Sequence, residues 1–253
     1  MFEVAAQAYD SYMGRYSIPL APLFCDFARI TTGARVLDVG CGPGALTTEL
    51  ASRLEPSAVS AVDPSEQFVD AARERHPGVD IARASAETLP FPPGRFDAAL
   101  AQLVVHFMVD PIAGLSEMAR VTRSGGVVAA CVWDHGGARG PLSRLWDAAR
   151  ELDPCVADES ELAGAREGHL GELMAHVGLS QVEEEPLTVS VEWVSFDEWW
   201  HPFSFGVGPA GAYVASLDDE HRSRLREHCR QGLPEGSLTV TARAWAARGL
   251  VGD

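Results

Sequence analysis

The sequence predicts an α/β fold in which strands alternate with helices and a nucleotide-binding unit opens the sheet. Three observations carry this. Val36 to Val39 is a run of branched apolar residues interrupted only by Asp38, which reads as a short buried strand, and Gly40, Gly42 and Gly44 follow it directly. Ala45 to Leu54 then sets Leu46, Leu50 and Leu54 at the spacing of a helix with one buried stripe. Ser57 to Val62 reads as a second strand ending in Asp63, about twenty positions past the glycines, where an acidic side chain grips a ribose diol.

The glycines admit backbone angles that a side chain forbids and let the chain approach a ligand closely. On these residues alone, a nicotinamide dinucleotide and S-adenosylmethionine (SAM) both satisfy the pattern.

Further stretches separate the two. Val36-Leu-Asp-Val-Gly-Cys-Gly-Pro-Gly44 resembles the first motif of the class I SAM-dependent methyltransferases, and Ala61-Val-Asp-Pro-Ser65 resembles their second. Ala84-Ser-Ala-Glu-Thr-Leu-Pro-Phe91 and Phe96-Asp-Ala-Ala-Leu100 resemble the third and fourth. The likeness runs from about Tyr9 to Cys131 and is closest to the small-molecule group that includes the ubiquinone- and menaquinone-type C-methyltransferases. It implies a Rossmann-like, mostly parallel sheet of seven strands with an antiparallel last strand and helices on both faces. It also implies SAM as cofactor.

Taken in order, Tyr9 to Ile30 is helical and aromatic, with Pro19 and Pro22 expected to break it into two segments. In the family this element folds over the cofactor, and Arg15 or Tyr9 would meet the methionine carboxylate, Arg15 through its bidentate guanidinium. Gly40, Cys41 and Gly42 form the turn that meets the ligand. Pro64 and Phe68, at the start of the helix after Asp63, would lie against adenine. Val79 to Ala82 is a third strand, and the loop Ser85-Ala86-Glu87 would read adenine through a backbone amide and an acidic side chain. Most relatives carry aspartate where Ser85 stands, so a neutral hydroxyl replaces a charged acceptor.

Phe96 to Ala101 is the fourth strand, and Gln102 sits at its carboxyl end, where open α/β sheets bind ligands. Asp110 and Pro111 read as N-cap and first residue of a helix, and Val127 to Trp133 as the fifth strand. A helix over Leu142 to Leu152, another over Glu167 to Val177, a strand over Val182 to Val194 and a last strand over Leu238 to Ala246 complete the pattern. The organisation expected is one domain over residues 1–253, with a helical lid over 1–32 and cap insertions over 134–165 and 195–235.

The bulk numbers agree with a folded domain: 253 residues, 46% hydrophobic and 22% charged, with no apolar run near the roughly 18 residues of a membrane span. The N-terminal residues lack a basic n-region, so the expected location is cytoplasmic. A formal net charge of −16 makes nucleic acid and anionic membrane poor partners. Arg222, Arg224, Arg226 and Arg230 are interrupted by acidic residues and read as a solvated helix face. There is no lysine and no asparagine, which excludes a P-loop lysine, a Schiff-base lysine and a Tyr-x-x-x-Lys pair. The five cysteines are scattered and never in C-x-x-C spacing, so neither zinc nor a disulfide framework is expected.

SAM carries its own leaving group, so the enzyme chiefly orients the reactants, and a base is needed only where the acceptor is protonated. Candidate bases are His106 after the fourth strand, and Asp134 with His135 after the fifth. The aromatic cluster Trp193, Phe196, Trp199, Trp200, Phe203 and Phe205 reads either as a substrate lid or as the cap's own core. As a lid it implies a small apolar or aromatic acceptor, handled by a monomer or homodimer. A non-catalytic SAM-binding module shares the same cofactor motifs. An NAD-binding oxidoreductase is disfavoured by the G-x-G-x-G pattern and the missing lysine.

Overall fold

In the computed structural model, which describes residues 10–206 and 208–252, every strand joins one sheet. The strands are β1 (Val36–Val39), β2 (Val59–Asp63), β3 (Asp80–Arg83), β4 (Phe96–Gln102), β5 (Thr122–Trp133), β6 (Ser180–Trp193) and β7 (Leu238–Leu250). Their order is β3-β2-β1-β4-β5-β7-β6. β1 pairs parallel with β2 and β4, while β7 pairs antiparallel with both β5 and β6, as expected for the last strand. The strand order reverses between β1 and β4, and a crevice opens at the carboxyl ends of the strands flanking such a reversal.

All four residues of β1 are buried, because helices cover both faces of the sheet. The helices are α1 (Arg15–Phe27), α2 (Ala45–Arg53), α3 (Glu66–Arg75), α4 (Pro111–Val121), α5 (Ser143–Leu152), α6 (His169–His176), α7 (Phe196–Trp200), α8 (Gly208–Ser216) and α9 (Asp219–Arg230). Val36 and Leu100 pack into one core with Leu20 and Phe24 of α1, Leu46 and Leu50 of α2 and Leu145 of α5. Leu37 and Val39 point the other way, into a second core with Leu115 and Met118 of α4 and Leu170 and Met174 of α6. The alternation along β1 divides the two layers.

The expected break at Pro19 and Pro22 does not occur. A single turn of π-helix at Asp10–Gly14 runs into α1, and both prolines lie inside it. Tyr16, Leu20 and Phe24 form the buried stripe, whereas Pro19 is exposed and Pro22 half-buried. A proline on the outer face frees carbonyls that water can satisfy, and burial of the inner stripe outweighs the lost bonds.

The region between β6 and β7 folds as α7, a 3₁₀ segment at His201–Phe205, α8 and α9. Trp193, Trp199 and Phe203 pack in the same core as Leu100 and Trp133, so this region has no separate interior. Arg144 on α5 donates to the Cys229 carbonyl at 3.1 Å and ties it to the segment after β5. On α9, Arg222 pairs with Asp219 and Arg226 with Asp197, in keeping with a solvated face. Among the described residues, no helix is long and apolar enough to cross a membrane, and no cluster of histidine, cysteine and carboxylate could hold a metal.

Glu159 is buried in the segment after β5, and its Oε2 accepts from Trp146 Nε1 at 3.0 Å. Burial pushes its carboxyl up to about 7, against the pull of the Trp146 bond. A carboxyl raised in the folded state contributes most below its ordinary value of 4.5, and that contribution is lost as pH rises through about 7. Glu159→Gln keeps an acceptor for Trp146 without the charge. Thermal melts should therefore show it matching wild type at pH 5 and gaining stability at pH 8, by up to roughly 3 kcal/mol.

Candidate functional site

The glycine turn is built from backbone hydrogen bonds. Gly40 and Cys41 N–H both donate to the Val62 carbonyl, at 2.8 and 2.9 Å, and Gly42 N–H donates to Asp63 Oδ2 at 2.9 Å. Ser65 N–H donates to Asp63 Oδ1 at 2.8 Å, so each oxygen accepts one amide and keeps a lone pair. Asp63 is buried, and burial pushes its carboxyl up while the two amides pull it down. Gly40, at φ 71°, stands where a Cβ would lie 2.5 Å from the Val104 side chain, so the turn after β4 packs directly on it. Gly42, at φ 54°, faces open space. Beneath the turn, Asp38 accepts from Thr47 Oγ1 at 2.6 Å, and burial pushes its carboxyl up to about 7.

On the other side of Asp63, Ser65 caps α3 by accepting from Phe68 N–H, which buries Phe68 while Pro64 stays exposed. In the loop after β3, Ala86 is buried, and the Ser85 hydroxyl donates to Glu87 Oε2. Glu87 Oε1 accepts from Val109 N–H at 2.8 Å. Burial alone would raise the Glu87 carboxyl, but these bonds, led by Ser85, hold it below its ordinary value. Glu87 thus staples the loop after β3 to the turn before α4.

Gln102 ends β4, and Leu103 at φ 63° turns the chain into a 3₁₀ segment, Val105–Phe107, that carries His106. Gln102 Nε2 donates to the Ser17 carbonyl of α1 at 3.0 Å, which lays the N-terminal helix over the end of β4. His106 and His135 lie with ring centroids 6.0 Å apart, both buried, and His106 Nδ1 and His135 Nε2 find no hydrogen-bond partner. Burial drives His106 well below the ordinary 6.5, with His135 adding to the effect. Burial also lowers His135 to about 4, against the nearby charges of Asp158 and Asp134. Both rings are neutral at pH 7.

Asp134 is placed differently from its neighbour. Its Oδ2 accepts from Arg243 Nε at 2.9 Å and its Oδ1 from Gly137 N–H at 2.9 Å. It joins β7 to the end of β5, and among the described residues it makes no hydrogen bond to a histidine nitrogen, so its role in this arrangement is structural. Arg15 is also occupied: Nη1 donates to Glu198 Oε1 at 2.9 Å, Nη2 to the Glu192 carbonyl, and the guanidinium stacks 3.9 Å over Trp193. The structure therefore brings Arg15 to the α7 region and brings Gly40, Cys41, Gly42 and Asp63 together. Tyr9 lies outside the described residues.

The aromatic residues divide. Phe196, Trp199, Trp200 and Phe203 pack on one another, as a cap core would, and Phe205 is exposed. Trp193 reaches inward, donating from Nε1 to Tyr16 Oη at 3.1 Å, and Tyr16 meets Trp133 edge-on at 6.2 Å, two residues before His135. Sequence reasoning passed over Ser17 and Gln102's bond to it. A serine within an amphipathic helix carries no pattern that separates it from an ordinary buried position.

The cradle fits an adenosyl ligand by its chemistry: Gly42, whose N–H is bonded to Asp63, has open space where a side chain would stand, and the buried Asp63 carboxylate retains lone pairs for a diol. Comparison with known proteins agrees. A methyltransferase-domain family model matches residues 37–130. An uncharacterised protein of Mycobacterium tuberculosis is 31% identical over 244 residues, covering 91% of this chain and 86% of that protein. The rice 2-methyl-6-phytyl-1,4-hydroquinone methyltransferase 2 is 39% identical over 95 residues, 37% of this chain and 27% of that protein. Among solved structures, the YcgJ protein of Bacillus subtilis superposes with a TM-score of 0.59 at 18% identity, covering 94% of this chain and 99% of that one. The Haemonchus contortus phosphoethanolamine N-methyltransferase 2, in complex with SAM, gives 0.59 at 17% identity, covering 98% and 57%. With the motifs in order, the strand order and the antiparallel seventh strand all in place, the chain belongs to the class I SAM-dependent methyltransferases.

Proposed function

We propose that this methyltransferase acts on a small acceptor with an apolar or aromatic body and a protic group, and that His106 and His135 manage that proton. The observation that carries the reading is the pair of buried, neutral rings, 6.0 Å apart, each with a nitrogen that has no partner among the described residues. Buried polar atoms are nearly always paired, so two unpaired nitrogens at the carboxyl ends of β4 and β5 call for a group from outside.

SAM, when bound, supplies a methyl group already activated on a sulfonium. In this reading Asp63 holds the ribose, the Gly40-Cys41-Gly42 turn backs the ligand, and Phe68 with Pro64 and the Ser85-Ala86-Glu87 loop flanks the adenine. A neutral imidazole keeps one nitrogen lone pair and one N–H. One ring can therefore accept the proton that the acceptor loses on methylation while the other orients the same group. α1 acts as a lid held by Gln102 and by the Arg15–Glu198 pair, and the caps over 134–165 and 195–235 enclose the acceptor with Tyr16, Trp133 and Trp193. Excluding water and aligning the reactants in this way can lower a barrier by roughly 7–11 kcal/mol. Asp134 serves here by positioning His135 through the Arg243 pair, and Arg15 by holding the lid. The acceptor has no contact with nucleic acid, and a monomer or homodimer suffices.

Calorimetry should give micromolar binding of S-adenosylhomocysteine, weakened about 100-fold in Asp63→Ala, since a carboxylate bound to a diol contributes about 3 kcal/mol. Binding of NAD in its place would overturn the cofactor assignment. Proton NMR of the histidine rings should find His135 neutral down to about pH 5 and His106 titrating below the ordinary 6.5, assigned by their disappearance in His135→Ala and His106→Ala. A pair titrating near 6.5 would contradict the buried arrangement. With any small hydroxylated arene that turns over, each alanine variant should lose about 100-fold or more in kcat. Unchanged turnover would remove both rings from the reaction and leave only a packing role.

A further inference from the structure

A second polar pole lies where α1 crosses the end of β4. Ser17 Oγ and Gln102 Oε1 are both buried, at 2% and 8% exposure, and neither has a hydrogen-bond partner among the described residues. They belong to one contact, because Gln102 Nε2 donates to the Ser17 carbonyl. The serine is unusual for this chain. Thr48, Ser116 and Ser223 each donate to the carbonyl four residues back, at 2.7 Å, whereas the Ser17 hydroxyl makes no such bond. A hydroxyl that declines its local acceptor, next to an amide oxygen without a donor, leaves one donor and one acceptor for a group from outside.

The chemistry of the pair limits what that group is. Neither a serine hydroxyl nor a glutamine amide carries charge, and neither compensates for taking an ammonium or a carboxylate out of water. A neutral hydroxyl satisfies both, accepting from Ser17 and donating to Gln102. The pole and the histidines share one end of the sheet: Gln102 ends β4 opposite Cys131 of β5, His106 follows it after the turn at Leu103, and His135 follows the end of β5.

We propose that Ser17 and Gln102 form a subsite for a second, uncharged hydroxyl of the acceptor, apart from the group handled by His106 and His135; this rests on the acceptor reading above. The subsite exists only while α1 lies over β4, so binding of that hydroxyl also holds the lid down. Ser17 and Gln102 thereby determine specificity, selecting acceptors that carry two protic groups on one apolar body.

The test uses the full-length protein saturated with S-adenosylhomocysteine, titrated calorimetrically with phenol, with the ortho, meta and para dihydroxybenzenes, and with the corresponding hydroxybenzoates. At least one dihydroxybenzene should bind about tenfold more tightly than phenol, and no hydroxybenzoate should gain. Ser17→Ala, which keeps the carbonyl that Gln102 bonds, should erase that advantage while leaving phenol and S-adenosylhomocysteine affinities unchanged; Gln102→Leu, which also frees the lid, should bring phenol and dihydroxybenzene to one weakened affinity, each variant being checked for a native melt. His135→Ala should weaken phenol and dihydroxybenzene alike. No advantage for any dihydroxybenzene, with both arenes still weakened by His135→Ala, would overturn the subsite and leave the histidine reading standing. A loss of S-adenosylhomocysteine affinity in Ser17→Ala would overturn it too, by giving the pair to the cofactor. Failure of every arene to bind would overturn both.

Discussion

Three backbone amides hold the working edge of this protein in place. Gly40 and Cys41 share the Val62 carbonyl, and Gly42 donates to Asp63, so the turn after β1 is bonded to the end of β2. The bonds need backbone angles that glycine adopts without cost. They also need space at Gly40, which Val104 fills from the other side. One small turn therefore fixes the ends of β1 and β2 and the start of the segment after β4 relative to each other. Asp63 and the turn that leads from Gln102 to His106 inherit their positions from it.

The second constraint is that the cap and the sheet share a core. Trp193, Trp199 and Phe203 are buried with Leu100 and Trp133, and α1 runs between them with Tyr16 and Phe24 facing inward. Charge is kept out of that interior or paired at its edge: Arg15 with Glu198, Arg243 with Asp134, Arg144 on the Cys229 carbonyl. Among the described residues, the buried side-chain groups left with an unpaired atom are neutral ones: the two imidazoles, a serine hydroxyl, a glutamine amide oxygen and the indoles of Trp199 and Trp245. The low dielectric that drives both histidines neutral also strengthens any hydrogen bond made there.

Local rules made much of this legible. The glycine turn, the acidic end of β2, the cap at Asp110 and the alternation in β7 depend on neighbouring residues and on the two periodicities of helix and strand, and each lies where the sequence indicated. The break at Pro19 and Pro22 was misread because proline's cost depends on which face it occupies. That face is set by the core, which lies far along the chain. The aromatic cluster was legible only as two alternatives, since a lid and a cap core have the same composition. The structure divides it, with Trp193 reaching Tyr16, Phe196, Trp199, Trp200 and Phe203 packing on one another, and Phe205 exposed.

The sequence by itself determined the fold class and the cofactor, because those are set by contiguous motifs of a few residues. Tertiary structure alone decided which side chains are spent and which are left over. Asp134 and Arg15 have the chemistry of site residues, yet Arg243, 109 positions away, and Glu198, 183 positions away, occupy them. Ser17 and Gln102 have no motif, yet packing α1 on β4 buries both and leaves an atom of each unpaired. Hydrogen-bond satisfaction is a property of all the groups within about 3 Å, and no local pattern along the chain specifies who those neighbours are.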